Sequence, residues 1–187
     1  MRLLPLTPPM LDPAQKTLYD EIAGGARAQG PQHFRLIDDT GALTGPFGIM
    51  LHVPELGSSL QELGAAIRYR TSLTARIREV AILSVAAANE CAFERYAHER
   101  VGRAAGLSDQ ELDDLASGSF TSDDPREDAA YRLCGILNVN GLPLPDEAFA
   151  GLSDELGSVA MIELCALVGY YRTLSQMLNL FEVGIPE

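Results

Sequence analysis

Glu79-Val-Ala-Ile-Leu-Ser-Val-Ala-Ala-Ala-Asn89-Glu-Cys91-Ala-Phe-Glu94-Arg-Tyr-Ala-His98 is the stretch on which the reading of this chain turns. Most of it is small and apolar, the composition of a buried helix pair. Asn89 marks a break, because Asn caps helices well and sits poorly in their interiors. Four side chains in the stretch can carry chemistry: Glu79, Cys91, Glu94 and His98. The last three follow the spacing Cys-x-x-Glu-x-x-x-His. On a helix of about 3.6 residues per turn, positions i, i+3 and i+7 fall within roughly 60° of arc. A thiol, a carboxylate and an imidazole therefore share one stripe. On a single straight helix Glu79 would sit about 120° away from Cys91. It faces the other three only if the chain turns at Asn89.

Outward from this stretch the pattern stays helical. Leu73, Ile77, Val80 and Ile82 belong to a helix, capped by Ser72 or Thr74, that is apolar on most sides. Before it, Pro54-Glu55-Leu56 opens a helix with Leu56, Leu60, Leu63 and Ile67 at helical spacing. Residues 31–53 show no convincing helical period and read as a long loop with a short helical turn near 46–52. Asp12-Pro13 starts an N-terminal helix over 13–23, and Gly24-Gly25 and Gly30-Pro31 punctuate the loop that follows. Beyond the central stretch, a helix over 90–104 ends at Gly106, and Ser108 with Glu111 forms a capping box for a helix to about 116. Asp124-Pro125 opens a helix to Asn138, and a turn is expected at Asn140-Gly141. Helices over 146–156 and 158–180 complete the chain, separated by Gly157. No stretch alternates like a strand, and no glycine pattern of a nucleotide fold is present. The fold class is all-α, a bundle of about seven to eight helices in one domain spanning 1–187. Residues 1–53 form an N-terminal helix and loop, and 54–180 the helical core.

Composition narrows the partners. Lys plus Arg number 14 and Asp plus Glu 26, a net charge of −12, with no local basic cluster, so nucleic acid is not an expected partner. The apolar run at 158–180 is interrupted by Glu163, Arg172 and Gln176, so no membrane span is expected. No signal-length apolar core precedes Pro5, Pro8 and Pro9, and a cytoplasmic location is expected. Cysteines 91, 134 and 165 are odd in number and widely spaced, as befits reduced thiols.

The sequence resembles the carboxymuconolactone decarboxylase and alkylhydroperoxidase D superfamily. The matching pieces are Gly45-Pro46-Phe47, Leu51-His52-Val53-Pro54-Glu55-Leu56, Arg76-Ile77-Arg78-Glu79, Cys91 through His98, and Ala104-Ala105-Gly106-Leu107-Ser108. The closing helix around Glu163–Tyr171 is similar as well. The peroxidase branch carries Glu, eleven residues, Cys-x-x-Cys, three residues, His. Glu79 and His98 keep those spacings from Cys91, but Glu94 stands where the second cysteine belongs. Thiol peroxidase chemistry needs a resolving thiol. Cys134 or Cys165 supplies one only if the fold brings it close. The Glu94 pattern instead resembles the decarboxylase-like branch. The resemblance implies an AhpD-like bundle that assembles as an obligate homo-oligomer, a trimer or hexamer often built from dimers. The apolar helices at 74–88 and 158–180 are the expected interface.

His98 is the candidate for proton transfer, since its ordinary pKa lies near ~6.5. Glu94, one turn earlier, can orient or charge the imidazole, and Glu79 can face the pair from the preceding helix. Cys91 near a helix N-terminus is expected to have a lowered pKa and to be reactive. Each has a plainer reading. Glu94 and His98 also fit a surface i,i+4 pair, Glu79 a partner for Arg76 or Arg78, and Cys91 a small buried hydrophobe. His52 and Tyr96 are candidate substrate contacts, with loop and packing roles as their alternatives. No metal or cofactor is expected. The leading expectation is a cofactor-independent lyase acting by proton transfer on a small carboxylated lactone or related acid. The alternatives are an antioxidant thiol protein using Cys91, and a non-catalytic oligomer that binds a small ligand.

Overall fold

The central helix, α5 (Ala75–Ala88), is buried on nearly every side, from Ile77 and Glu79 through Val80, Ala81, Ile82, Leu83 and Val85 to Ala86. Its small and branched side chains leave neighbouring helices room to close around it. The Thr74 hydroxyl starts it by accepting the N–H of Ile77 at 3.1 Å, a cap that contributes about 1 kcal/mol. Around α5 pack α6 (Ala92–Ala104), α7 (Asp109–Ser117), α8 (Pro125–Asn138) and α9 (Asp146–Leu180). The structure is a computed structural model that describes residues 2–29, 33–139 and 142–186. Among these residues there is no strand, and only an isolated bridge pairs Ile37 with Leu43. The all-α class is therefore the observed one.

The turn expected at Asn89 is present, and its hydrogen bonds explain it. Glu90 adopts a left-handed φ of 49°, the N–H of Glu90 bonds to Ala87 O at 3.1 Å, and that of Cys91 bonds to Ala86 O at 2.9 Å. These two bonds satisfy the last carbonyls of α5 in the Schellman manner and reverse the chain. Asn179 of α9 donates its amide to Asn89 O at 2.8 Å and pins the turn from outside. The helix beyond begins with Cys91 as its N-cap residue and runs antiparallel against α5. Its far end closes at Gly106, with φ 94°, where Leu107 N–H reaches Gly102 O at 2.9 Å.

The N-terminal part is α1 (Pro13–Gly24), the short α2 (Ala26–Gln29), α3 (Gly45–Met50) and α4 (Pro54–Tyr69). The first of these has the expected Asp12 cap, joined by Gln15 in a capping box. The sequence reads the α2 segment as loop, yet four residues after the Gly24-Gly25 break coil into one turn. The turn near 46–52 is realised as α3. Gly30-Pro31 and Asn140-Gly141 lie outside the described residues. The last helix is two arms meeting at Gly157, whose φ of 73° breaks the run where the glycine predicts it. Two of the three polar residues that interrupt this helix are pins. Glu163 accepts the N–H and hydroxyl of Ser72 at 2.8–3.0 Å, and Arg172 donates to Leu137 O at 3.2 Å.

One expectation is corrected. Residues 74–88 do not offer an interface, because the apolar surface of α5 is consumed inside the chain by four neighbouring helices. The outer face of α9 does remain open, with Val159, Ile162 and Leu180 at 60%, 69% and 61% exposure. No helix among the described residues is long and apolar enough to cross a membrane.

Candidate active site

The reversal at Asn89 sets α6 beside α5, so that His98 meets Glu79. His98 Nδ1 lies 2.6 Å from Glu79 Oε2, and His98 Nε2 lies 3.4 Å from Glu94 Oε2. All three side chains are buried, with 7%, 1% and 4% exposure for His98, Glu79 and Glu94. The surface-pair reading of Glu94 and His98 is thereby excluded. So is the pairing of Glu79 with Arg76, whose guanidinium is taken by Glu111 at 2.6 Å and Glu127 at 2.8 Å.

The geometry divides the roles of the two ring nitrogens. An ionised carboxylate only accepts, so Nδ1 carries the hydrogen given to Glu79. That short bond fixes the tautomer and the ring plane, as does the edge of the His98 ring on Tyr171 at 5.2 Å between centroids. Nε2 is left facing Glu94. At 3.4 Å this contact is longer than the roughly 2.7–2.9 Å of a strong charge-assisted bond. It is the looser end, the one at which a proton can be taken up and passed on.

Glu94 and His98 line a small cavity of about 30 Å³ together with Phe34, Pro46, Phe47, Arg68, Phe93 and Tyr171. Glu79 is not among the lining residues and acts from behind the imidazole. The cavity has room for about one or two water molecules. Its aromatic walls separate His98 from bulk solvent, which strengthens electrostatic interactions there.

Arg68 is the lining residue that sequence reasoning missed. It sits in the last turn of α4, where a basic residue is commonplace beside a helix C-terminus, so no sequence signal marks it. In the fold it is half-buried at this cavity and makes no ion pair with a described residue. Its guanidinium lies 5.9 Å from the centroid of the Tyr69 ring.

The other predicted residues are placed elsewhere or behave differently. Cys91 is buried at 2% exposure beside the first turn of α6. Burial pushes its thiol pKa up; the N–H groups of Glu94 and Phe93 oppose the shift, and the Glu94 charge adds to it. The expected lowering is therefore corrected: desolvation outweighs the helix terminus. Cys134 is buried on α8, with its pKa pushed up to about 12 by burial, while Cys165 is exposed on α9. Along that helix Cys165 precedes Ser175, the neighbour of Cys91, by ten residues, about 15 Å. No second thiol is set beside Cys91. His52 Nε2 donates to Leu4 O at 3.1 Å, in a different chamber from His98. Tyr96 lies under the Arg100 guanidinium at 3.7 Å and against Phe93, outside the residues that line the His98 cavity.

Comparison with known proteins agrees with this framework. Residues 54–134 match the Carboxymuconolactone decarboxylase family. No curated protein matches the sequence. Among solved structures, a peroxidase-related protein with an alkylhydroperoxidase AhpD core from Ralstonia eutropha JMP134 superposes with a TM-score of 0.78 at 16% identity, covering 100% of this chain and 92% of its own. A cysteine-to-alanine variant of the debrominase Bmp8, in complex with 2,3,4-tribromopyrrole, gives 0.73 at 15% identity, with 100% and 92% covered. The protein of unknown function ATU0492 from Agrobacterium tumefaciens gives 0.67 at 19% identity, with 74% and 96% covered. The chain thus matches the carboxymuconolactone decarboxylase family over residues 54–134, and its helical fold is that of AhpD-like structures.

Proposed function

We propose that the protein is a cofactor-independent lyase that decarboxylates a small carboxylated lactone or related acid by proton transfer at His98. The observation that carries the reading is the imidazole held between two buried carboxylates, with its Nε2 facing a small cavity that Glu94 and Arg68 also line. In such a reaction the bond to the departing carboxylate breaks, and its electron pair stays on carbon as an enolate-like anion. CO2 leaves, and a proton from the His98–Glu94 pair fills the carbon, to be replaced from water. Arg68 holds an anionic group of the substrate, and Glu79 keeps the imidazole oriented. The thiol alternative is less well supported, because Cys91 is buried with a raised pKa and no second thiol beside it.

The test is CO2 release from 4-carboxymuconolactone. Wild type is expected to turn it over, and His98→Gln, which keeps a polar side chain of similar bulk, to lose about 10²–10⁴-fold. A His98→Gln protein that is folded by circular dichroism and as active as wild type overturns the assignment.

The assembly belongs to the same proposal. The outer face of α9 presents Val159, Ile162, Ala166 and Gly169 at alternating spacings of three and four residues, all exposed. Apolar and small side chains at that spacing form a seam on which a second copy of the helix can pack.

A further inference from the structure

On the far side of Phe93 lies a second, larger chamber of about 350 Å³, against about 30 Å³ on the His98 side. Phe93 lines both spaces. It directly precedes Glu94 in the first turn of α6, so its side chain stands between the large chamber and the acid–base pair. Its ring occupies the place where a Cβ on Gly45 would stand, 2.3 Å from the ring's Cζ. Gly45 has a φ of 61°, and only glycine admits the ring there. The Phe34 ring meets Phe93 edge-on at 6.3 Å and completes the wall.

The chamber has its own roof. Residues 2–5 and the tail after Phe181 lie together, joined by Arg2 N–H to Phe181 O at 2.7 Å and by the Arg2–Glu182 ion pair. Below them Leu3, Leu43, Ile49, Val183 and Ile185 give an apolar lining. The polar groups at its edge are already engaged. Asp38 holds the N–H and hydroxyl of Thr40, Thr44 donates to Arg35 O, and His52 is paired with Leu4 O. Among the described residues its lining thus contains no lysine or arginine and one carboxylate, Asp38, which repels acids. Its size falls within the roughly 300–1,000 Å³ of small-molecule sites.

These facts fit together in one way. The cavity at His98 has space for a reacting group but not for the carbon skeleton that bears it. We propose that the two spaces are compartments of a single site, that Phe93 is the movable wall between them, and that the chamber takes the uncharged ring or alkyl part of the substrate while its anionic group stays on the Arg68 side. The inference rests on the reading of His98 as the proton-transfer residue.

The probe is N-phenyl-1-naphthylamine, a neutral molecule that fluoresces in apolar surroundings; the chain contains no tryptophan to interfere. Wild type is expected to bind it saturably at one per chain. Leu3→Asp, which places a charge in the half-buried roof rather than in the core, is expected to weaken binding at least tenfold with helical content unchanged. Equal binding by Leu3→Asp, or no saturable binding by wild type, overturns the chamber. The partition is read from the side-chain nitrogen resonances of the three histidines. Probe binding is expected to shift His52 in wild type, and to shift His98 as well in Phe93→Ala. A His98 signal that stays fixed in Phe93→Ala while His52 moves overturns the role of Phe93. Both readouts are equilibrium measurements. Intact probe binding with no CO2 release sinks the lyase reading alone, and turnover without probe binding sinks the chamber alone.

Discussion

Glu94 is the residue that sets this chain apart from a dithiol protein. A carboxylate there gives His98 an acid partner, and its charge adds to the burial that keeps the Cys91 thiol protonated. Glu79 acts on the imidazole from the other side and never lines the cavity. Its replacement by Gln is expected to lower kcat about 10²-fold with little change in KM and to displace the pH profile of kcat, because the amide supports the wrong tautomer as readily as the right one. An unchanged pH profile would argue for a merely structural role. The thiols provide a second residue-scale prediction. With a thiol-specific reagent near neutral pH, Cys165 is expected to react in the native protein, while Cys91 and Cys134 react only on unfolding. Rapid native-state labelling of Cys91, read by peptide mass, would reopen the antioxidant alternative. The shared stripe of Glu94 and His98 is legible from spacing and Glu79 joins it only through the turn at Asn89, whereas Arg68 is not legible, because nothing local distinguishes a helix-end arginine that lines a cavity from one in solvent.

At the scale of elements, what matters is how α5 and α6 are held in register, since an offset of one turn, about 5.4 Å, would part His98 from Glu79. The ends of these helices distal to Asn89 are tied by Arg76 of α5, which donates to Gly106 O just beyond α6 and bridges Glu111 of α7 and Glu127 of α8. Glu111 is held down to about 2, chiefly by the N–H of Ser108, against burial, with Arg76 and the Ser108 hydroxyl assisting. In the unfolded chain a Glu titrates near about 4.3. The folded state therefore binds this proton more weakly, and the stabilisation is complete above about 4.3 and disappears as pH falls to about 2. Thermal melts between these limits are expected to fall more steeply for wild type than for Glu111→Gln, with the two curves converging at the acid end. Parallel curves would show that the tie contributes nothing. The sequence foretold the capping box of Ser108 and Glu111 correctly. It did not foretell that the same carboxylate serves Arg76, because that partner is 35 residues away.

For the whole molecule, burial decides which apolar helices meet solvent. The sequence makes 74–88 and 158–180 equally attractive as contact surfaces, yet α5 is spent on the core and only α9 keeps an exposed seam. Light scattering is expected to give a mass above that of one 20.1 kDa chain for wild type. Ile162→Asp, at a site 69% exposed, is expected to lower that mass without loss of helix. An unchanged mass would place the contact elsewhere.

The sequence by itself determined the helical class, the break at Asn89, most caps, and the shared stripe of Cys91, Glu94 and His98, because these depend on spacing within one or two turns. Tertiary structure decided the rest. It closed Glu79 onto His98 at 2.6 Å, raised rather than lowered the pKa of Cys91, and sent His52 and Tyr96 away from the His98 cavity. It also set Arg68, from a helix more than twenty residues earlier, into the wall beside Glu94. The physical reason is common to all four. Desolvation and the meeting of distant side chains depend on which helices pack together, and spacing along the chain carries no record of that.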